Sequence, residues 1–326
     1  MKSYHGGFMG RKNIFSSNQN RYFSGGGRGK KALVLLLLVL VLGTALGAVI
    51  FKFFGERNFT SKTPIVVTET PAETPEEPVV KPEDLVEDSN HIFAAAPYAY
   101  STKTVREWIT GQVPYTGEKL AFLTFDDGPS VANTGKLLDV LKAHNARATF
   151  FIIGTSIEKN ANAGDTLNRI LAEGSSLGLH SYSHVYDKLY PQKTGDPLVI
   201  QEEIQKTQDL IRSTTGKANF TSHVFRYPGG HMSWKGTAEV DALLAEDGIE
   251  HIDWNAMNGD SEPTVRRPKD AAATAAFVLD SLKYTKVKDV IVVLMHDAEN
   301  KGLTLEALPA VIETLRNEGY TFGILK

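Results

Sequence analysis

Residues 119–326 predict an α/β fold of about seven parallel strands, curled into a closed or nearly closed barrel. Three observations carry this expectation. Short apolar runs alternate with one-faced helical patterns along the whole stretch, which is how strand-helix units with a parallel sheet are written. Polar, chemically able side chains recur just after those apolar runs, and in a parallel barrel the C-terminal strand ends all open on one face. The chain has no cysteine, so a stretch of this length must be held by a hydrophobic core rather than by disulfides.

Taken in order, the chain starts with a basic tail. Residues 1–31 hold Lys2, Arg11, Lys12, Arg21, Arg28, Lys30 and Lys31 with no acid. Residues 32–51 then run without a charge, about the length of a bilayer-crossing helix. The basic flank comes first, so the positive-inside rule places the N-terminus in the cytoplasm and the rest outside. A signal peptide cut near Ala45-Leu46-Gly47 is the alternative, although the apolar run is long for one. Without cysteine, lipoprotein attachment is excluded.

Residues 52–97 read as a stalk. Six prolines lie between Pro64 and Pro97, among eight acids, a composition that favours an extended, self-repelling chain. Residues 98–118 contain the foldable run Val105-Arg106-Glu107-Trp108-Ile109 and are expected to pack on the following domain. The formal charge of -3 conceals an asymmetry, because 28 basic against 38 acidic groups leave -10 once the basic tail is set aside. Nucleic acid is therefore not an expected partner.

In the domain, strands are expected at 120–125, 149–153, 176–180, 223–226, 250–254, 290–295 and 320–324. Helices are expected at 134–144, 165–173, 198–213, 237–247, 269–282 and 305–318. The 198–213 segment sets Ile200, Ile204, Leu210 and Ile211 among Gln, Glu and Lys, a single apolar face. No repeat of 20 to 50 residues stands out beyond the alternation.

The chemistry sits at the strand ends. Asp126 and Asp127 end the first strand, where alternation sends neighbouring side chains to opposite sides, so one can ligate a metal while the other serves as a base. His180 and His184 end the third; at i and i+4 they share one face of a helical turn, a spacing that lets two imidazoles meet one ion. Arg226 ends the fourth strand, Asp260 follows the fifth, and His296 with Asp297 ends the sixth. Two His, one carboxylate and open positions are the donor set of a catalytic metal site. Ser181 and Ser183 read as turn residues, since no Gly-x-Ser-x-Gly elbow surrounds them. His144, His223, His231 and His251 read as ordinary surface or core histidines.

The strings Thr124-Phe125-Asp126-Asp127-Gly128-Pro129, His180-Ser181-Tyr182-Ser183-His184, Arg226-Tyr227-Pro228-Gly229-Gly230 and Leu294-Met295-His296 resemble the ordered motifs of polysaccharide deacetylases, the NodB-homology, family-four carbohydrate esterases. The resemblance spans about 119–326. It implies a distorted (β/α) barrel and a metal-dependent hydrolase that removes acetyl groups from N-acetylated sugars. It further implies Asp127, His180 and His184 as metal ligands, Asp126 as general base, Arg226 as its orienting partner, His296 as general acid and Asp260 as the group that tunes it. Trp254, Leu294, Tyr227 and Gly229 are the implied substrate-side residues. The implied ion is zinc, with cobalt, nickel or manganese as alternatives.

Two positions depart from the family pattern. Gly229 stands where a tyrosine is common, and Ser261 stands where a tryptophan often follows the fourth-motif Asp. The first is expected to change the shape of the groove without threatening catalysis, and the second to leave one of its walls more open or more polar. A tethered, monomeric head on a stalk points to a cell-wall glycan, peptidoglycan N-acetylglucosamine or N-acetylmuramic acid, as substrate. Poly-N-acetylglucosamine, chitooligosaccharide or acetyl xylan, and a non-catalytic wall-binding module, are the alternatives. A two-metal phosphatase or nuclease would need a second set of ligands, which the sequence does not offer.

Overall fold

The computed structural model describes residues 80–326. The expected basic tail, the 32–51 span and the first part of the stalk lie outside the described residues. Among the described residues, no helix is long and apolar enough to cross a membrane.

Among the described residues, ten strands run in chain order: β1 Ala99–Tyr100, β2 Leu120–Gly128, β3 Ala148–Ile152, β4 Ser176–Leu179, β5 Val224–Phe225, β6 Glu250–His251, β7 Ala256–Met257, β8 Val290–His296, β9 Thr321–Phe322 and β10 Ile324–Leu325. Seven form a parallel path in the order β6-β5-β4-β3-β2-β8-β7, with β9 also pairing with β2. The two ends of this path, β6 and β7, are consecutive in the chain. Residues 252–255 alone join them, and five peptide steps span at most roughly 18 Å. The sheet must therefore curl until its edges nearly meet. Among the described residues no ladder closes the gap, so the barrel is curled and open rather than closed.

This geometry corrects the fifth expected strand. Residues 250–254 do not stay in one strand: Ile252 N–H still reaches Phe225, but Asn255 N–H already bonds Val292 on the opposite edge. The last expected strand is likewise broken at Gly323, where a Cβ would press on Phe122 and Tyr100.

Alternation along the central strands builds the site from below. Leu120 and Phe122 of β2, and Val290 and Val292 of β8, form an inner cluster with Phe151, Val224 and Ile252. The same faces continue upward through Thr124 and Asp126 on β2 and Leu294 and His296 on β8. Register places Asp126 opposite His296. Below, the helix Thr102–Thr110 inserts a fully buried Val105 into this inner cluster. Burial of that side chain contributes roughly 1.5–3 kcal/mol. Residues 98–118 thus stop the base of the barrel, with β1 paired to β10.

The stalk boundary needs correction. Leu85, Ile92 and Ala95 are buried in the main core, and Leu85 and Ile92 bridge to each other. The Asn90 side chain donates to the carbonyls of Leu177 and Leu325, and Ser89 accepts from Thr221 N–H. From Leu85 onward the chain is a strap across the N-terminal ends of β4 and β5, the face opposite His180. Proline and acid content hid three apolar anchors.

His91, 1 % exposed, lies in this strap with its Nδ1 hydrogen-bonded to Ser89 Oγ at 2.7 Å. Burial, then the charge of Lys326, pushes its pKa down to about 4. The unfolded chain, with a value near 6.5, binds the extra proton first, so this contribution to stability is full above about pH 6.5 and is lost toward pH 4. Melting temperatures measured across that window are expected to fall less steeply in His91→Gln than in the parent.

Candidate active site

The first departure from simple strand geometry occurs at the paired acids. The β2/β3 register shifts between Asp126 and Gly128, and Asp127 adopts φ 78°, the left-handed region. This bulge cancels the expected alternation. Both carboxylates turn toward His180, with Asp126 Oδ2 at 3.8 Å and Asp127 Oδ1 at 3.7 Å from its Nε2.

The histidines also meet by a different route from the one expected. Residues 180–184 are loop, not a helical turn. Ser181 at φ 63° and His184 at φ 54° fold the chain back, bringing the two rings within 5.0 Å. The serines act as turn residues: Ser181 Oγ accepts His184 N–H, and Ser183 Oγ bonds Glu203. Glu203 is nearly fully buried and accepts the N–H groups of Tyr182 and Ser183 as well as Lys188 Nζ at 2.8 Å. Burial alone would raise its pKa, but Lys188 and Ser183 hold the carboxyl below its ordinary value. Sequence reasoning missed this brace. The signal was a glutamate on the same face as Ile200, Ile204 and Ile211 in the helix Pro197–Thr215.

His180 donates from Nδ1 to the Arg226 carbonyl at 2.8 Å, which leaves Nε2 as a bare lone pair facing Asp127. Burial, then the neighbouring His184, pushes its pKa down to about 3, so the ring is neutral. His184 Nε2 lies 3.6 Å from the same Asp127 Oδ1, and that oxygen is buried without a hydrogen-bond partner. Ligand atoms about 2.1 Å from one tetrahedral ion sit about 3.4 Å apart. Asp127, His180 and His184 therefore fit a divalent ion, which would satisfy the orphaned oxygen.

A second cluster makes the contrast clear. His231, Asp241 and His251 offer the same donor types within reach of one ion. Here the contacts are 2.8 Å and 2.9 Å, and Tyr227 adds a hydroxyl donated at 2.7 Å. These are N–H···O and O–H···O lengths, with both carboxylate oxygens satisfied. The gap in the first cluster has the size of an ion; in the second it has the size of a proton. Burial opposes the charge of Asp241, but its three donors hold the carboxyl well below the usual range. The clamp braces both ends of the 227–231 loop.

Arg226 is fully buried beneath the acids. It donates to Asp126 Oδ1 at 2.8 Å, to Thr124 Oγ1, and to the carbonyls of Ile252 and Asp253. Its guanidinium lies 4.0 Å from the Phe151 ring centroid and 5.7 Å from that of Trp254. A buried charge with this many partners is a fixed orienting element.

Across the site, His296 Nδ1 donates to Asp260 Oδ1 at 2.7 Å, and His296 N–H donates to Asp260 Oδ2. Thr304 Oγ1 donates to Asp260 Oδ2, and Lys301 Nζ donates to the Asp260 backbone carbonyl. Burial works against a charged His296, but the Asp260 hydrogen bond and charge outweigh it and raise the pKa above the ordinary value. The same pairing lowers Asp260 against its own burial. Asp297 turns the other way, accepting from Ser130 and Thr134, and burial pushes it up to about 7. Its N–H bonds the Asp126 carbonyl, so it supports β2 from behind.

Of the residues expected on the substrate side, Leu294 lies on the inner face beneath His296, and Trp254 packs over Gly230 and Arg226. Gly229 faces Tyr186 and Trp234. Ser261 is exposed. Tyr227 needs correction: its side chain is 0 % exposed and its hydroxyl is committed to Asp241, so it supports the loop from within and does not line the groove. A cavity of about 590 Å³ adjoins Asp127 and His184 and continues past Ser156, Asn160 and Glu299.

Residues 114–250 match the polysaccharide deacetylase family. That stretch includes Asp126, Asp127, His180, His184 and Arg226, while Asp260 and His296 lie beyond it. A peptidoglycan-N-acetylglucosamine deacetylase of Bacillus cereus is 31% identical over 293 residues, covering 90% of this chain and 93% of that protein. The structure of a Streptococcus mutans CE4 esterase superposes with a TM-score of 0.71 at 43% identity, covering 76% of this chain and 100% of that one. The polysaccharide deacetylase Bc1974 from Bacillus cereus gives a TM-score of 0.52 at 32% identity, covering 63% and 91%.

Proposed function

The chain belongs to the polysaccharide deacetylase family, and from that premise we propose that it hydrolyses the N-acetyl group of an amino sugar in a cell-wall glycan, peptidoglycan being the substrate, and releases acetate. The observation that carries this reading is the orphaned, buried Asp127 Oδ1 held between two imidazole nitrogens, beside a carboxylate fixed by a buried arginine. A divalent ion at Asp127, His180 and His184, zinc by our reading of the donor set, would supply Lewis acidity toward water and the acetyl oxygen.

The chain's own residues then divide the proton chemistry. Arg226 occupies Asp126 Oδ1, so Oδ2 is the free oxygen that takes a proton from the attacking water. Asp260 occupies His296 Nδ1, so Nε2 is the nitrogen that delivers a proton to the departing amine. The Gly229 N–H has no hydrogen-bond partner among the described residues and is available to a developing oxyanion. Leu294 gives the acetyl methyl an apolar floor. The product gains an ammonium group, and the glycan gains positive charge.

The sequence of 1–51 supports a single-pass anchor with the catalytic head outside the membrane. The strap crosses the head on the face opposite the site.

Acetate release from purified peptidoglycan by the full-length protein, with and without chelator, tests the reading. Chelator-sensitive release supports it, and mass spectrometry of the products then names the sugar. No acetate from any acetylated glycan, with any added divalent ion, would leave a wall-binding module instead. Glu203→Ala is expected to weaken metal affinity by about 10-fold or more by loosening the histidine loop. Calorimetric metal titration reads this directly, and an unchanged affinity would show that the loop holds its shape without Glu203.

A further inference from the structure

Just beyond the histidine loop stands a tyrosine for which the proton chemistry above has no use. Tyr186 opens the short helix Tyr186–Leu189, two residues past His184. It is 44% exposed, its ring centroid lies 5.3 Å from that of His184, and its hydroxyl has no hydrogen-bond partner among the described residues. Behind it the support is rigid. Tyr186 packs edge-on against Trp234 at 5.1 Å, and Trp234 stacks on Tyr190 at 4.0 Å with planes 8° apart. Tyr190 is buried, and Trp234 Nε1 is anchored on the Pro228 carbonyl at 2.8 Å.

Gly229 is shaped around this tyrosine. Its φ of +81° disfavours a side chain, and a Cβ there would lie 3.2 Å from both the Tyr186 hydroxyl and Trp234. The missing side chain on one loop is thus matched by an aromatic ring from another, and the ring stands beside the free Gly229 N–H and the His184 side of the site. An exposed aromatic face on a buried aromatic stack, with an uncommitted hydroxyl at its edge, offers both contacts a pyranose presents: an apolar C–H face and a rim of hydrogen-bonding groups.

We propose that Tyr186 is a specificity-determining residue that receives the pyranose ring carrying the reacting acetamido group. This rests on the deacetylase reading for its substrate and goes beyond it in assigning the ring-binding surface.

The test compares full-length wild type, Tyr186→Ala and Tyr186→Phe, each with a thermal melt to confirm folding. Equilibrium binding of an N-acetylglucosamine pentamer is followed by tryptophan fluorescence, and acetate release from the same pentamer gives kcat and KM. In Tyr186→Ala, Kd and KM are expected to rise about 10-fold while kcat changes by less than about 3-fold, a ring contact in the range of aromatic pairs. Tyr186→Phe, which keeps the ring, is expected to recover binding to within about 3-fold. Unchanged Kd and KM in the alanine variant, or a loss confined to kcat, would overturn the assignment while leaving the reaction intact. Wild-type binding without acetate release would remove the deacetylase reading, with Kd alone still deciding the role of Tyr186. Wild type that neither binds nor reacts would remove both.

Discussion

Asparagine at position 126 is expected to lower kcat for acetate release by about 10²–10⁴-fold, the usual weight of a positioned general base. The expectation follows from which oxygen is free. Oδ1 is bound to Arg226 at 2.8 Å and Oδ2 is directed at His180, so the carboxylate has one basic oxygen on the reacting side. An amide keeps an acceptor for Arg226 and loses only the basicity. Arg226 also retains Thr124 and two carbonyls, so the fold should survive a change that would cost about 3–5 kcal/mol if the arginine were left unpaired. Metal content, measured on the purified variant, should stay near that of wild type. Asp127→Asn provides the contrast, because Asp127 Oδ1 has no partner except the two imidazoles, and its replacement should lower metal content along with activity. Should Asp126→Asn retain more than about a tenth of wild-type kcat, another group must take the proton.

Much of this site is legible in the residue pattern, and the parts that are not share a cause. Sequence patterning speaks to regular structure, in which a two-residue period fixes direction. Along β2 and β8, which are long and regular, that period holds: Thr124 and Asp126, and Leu294 and His296, fall on one face. It misassigns Asp127, because a single bulge residue in the left-handed region reverses the rule. His180 and His184 come together as expected, but through two left-handed loop residues that no helical periodicity could signal. The supports are harder still. Glu203, Asp241 and Asp297 each act through hydrogen bonds to loops outside their own elements, and a lone acid in a helix or after a strand looks like a solvated one. Glu203 alone left a trace, by standing on an apolar face. The strap was lost for the opposite reason: a composition rich in proline and acid outweighed Leu85, Ile92 and Ala95, although three anchors suffice to dock it.

The second large effect concerns the proton donor. Asp260→Asn is expected to move the alkaline limb of the kcat profile to lower pH and to cut kcat by up to about 10²-fold on the alkaline side. His296 must be protonated to serve as an acid, so activity is present below its pKa and declines as pH rises through it. Burial pulls that pKa down, while the hydrogen bond and charge of Asp260 raise it above the ordinary histidine value. An ion bound at Asp127 would offset the smaller contributions of Asp126 and Asp127 but leave the direct Asp260 contact at 2.7 Å in place. The variant therefore keeps the burial and loses the principal group opposing it, so the imidazolium should lose its proton at lower pH. At the acidic end of the profile His296 is protonated in both proteins, and the difference in kcat should narrow. A drop of equal size at every pH would mean that Asp260 only positions the ring, through Oδ2 to the His296 N–H and to Thr304, and does not set its charge.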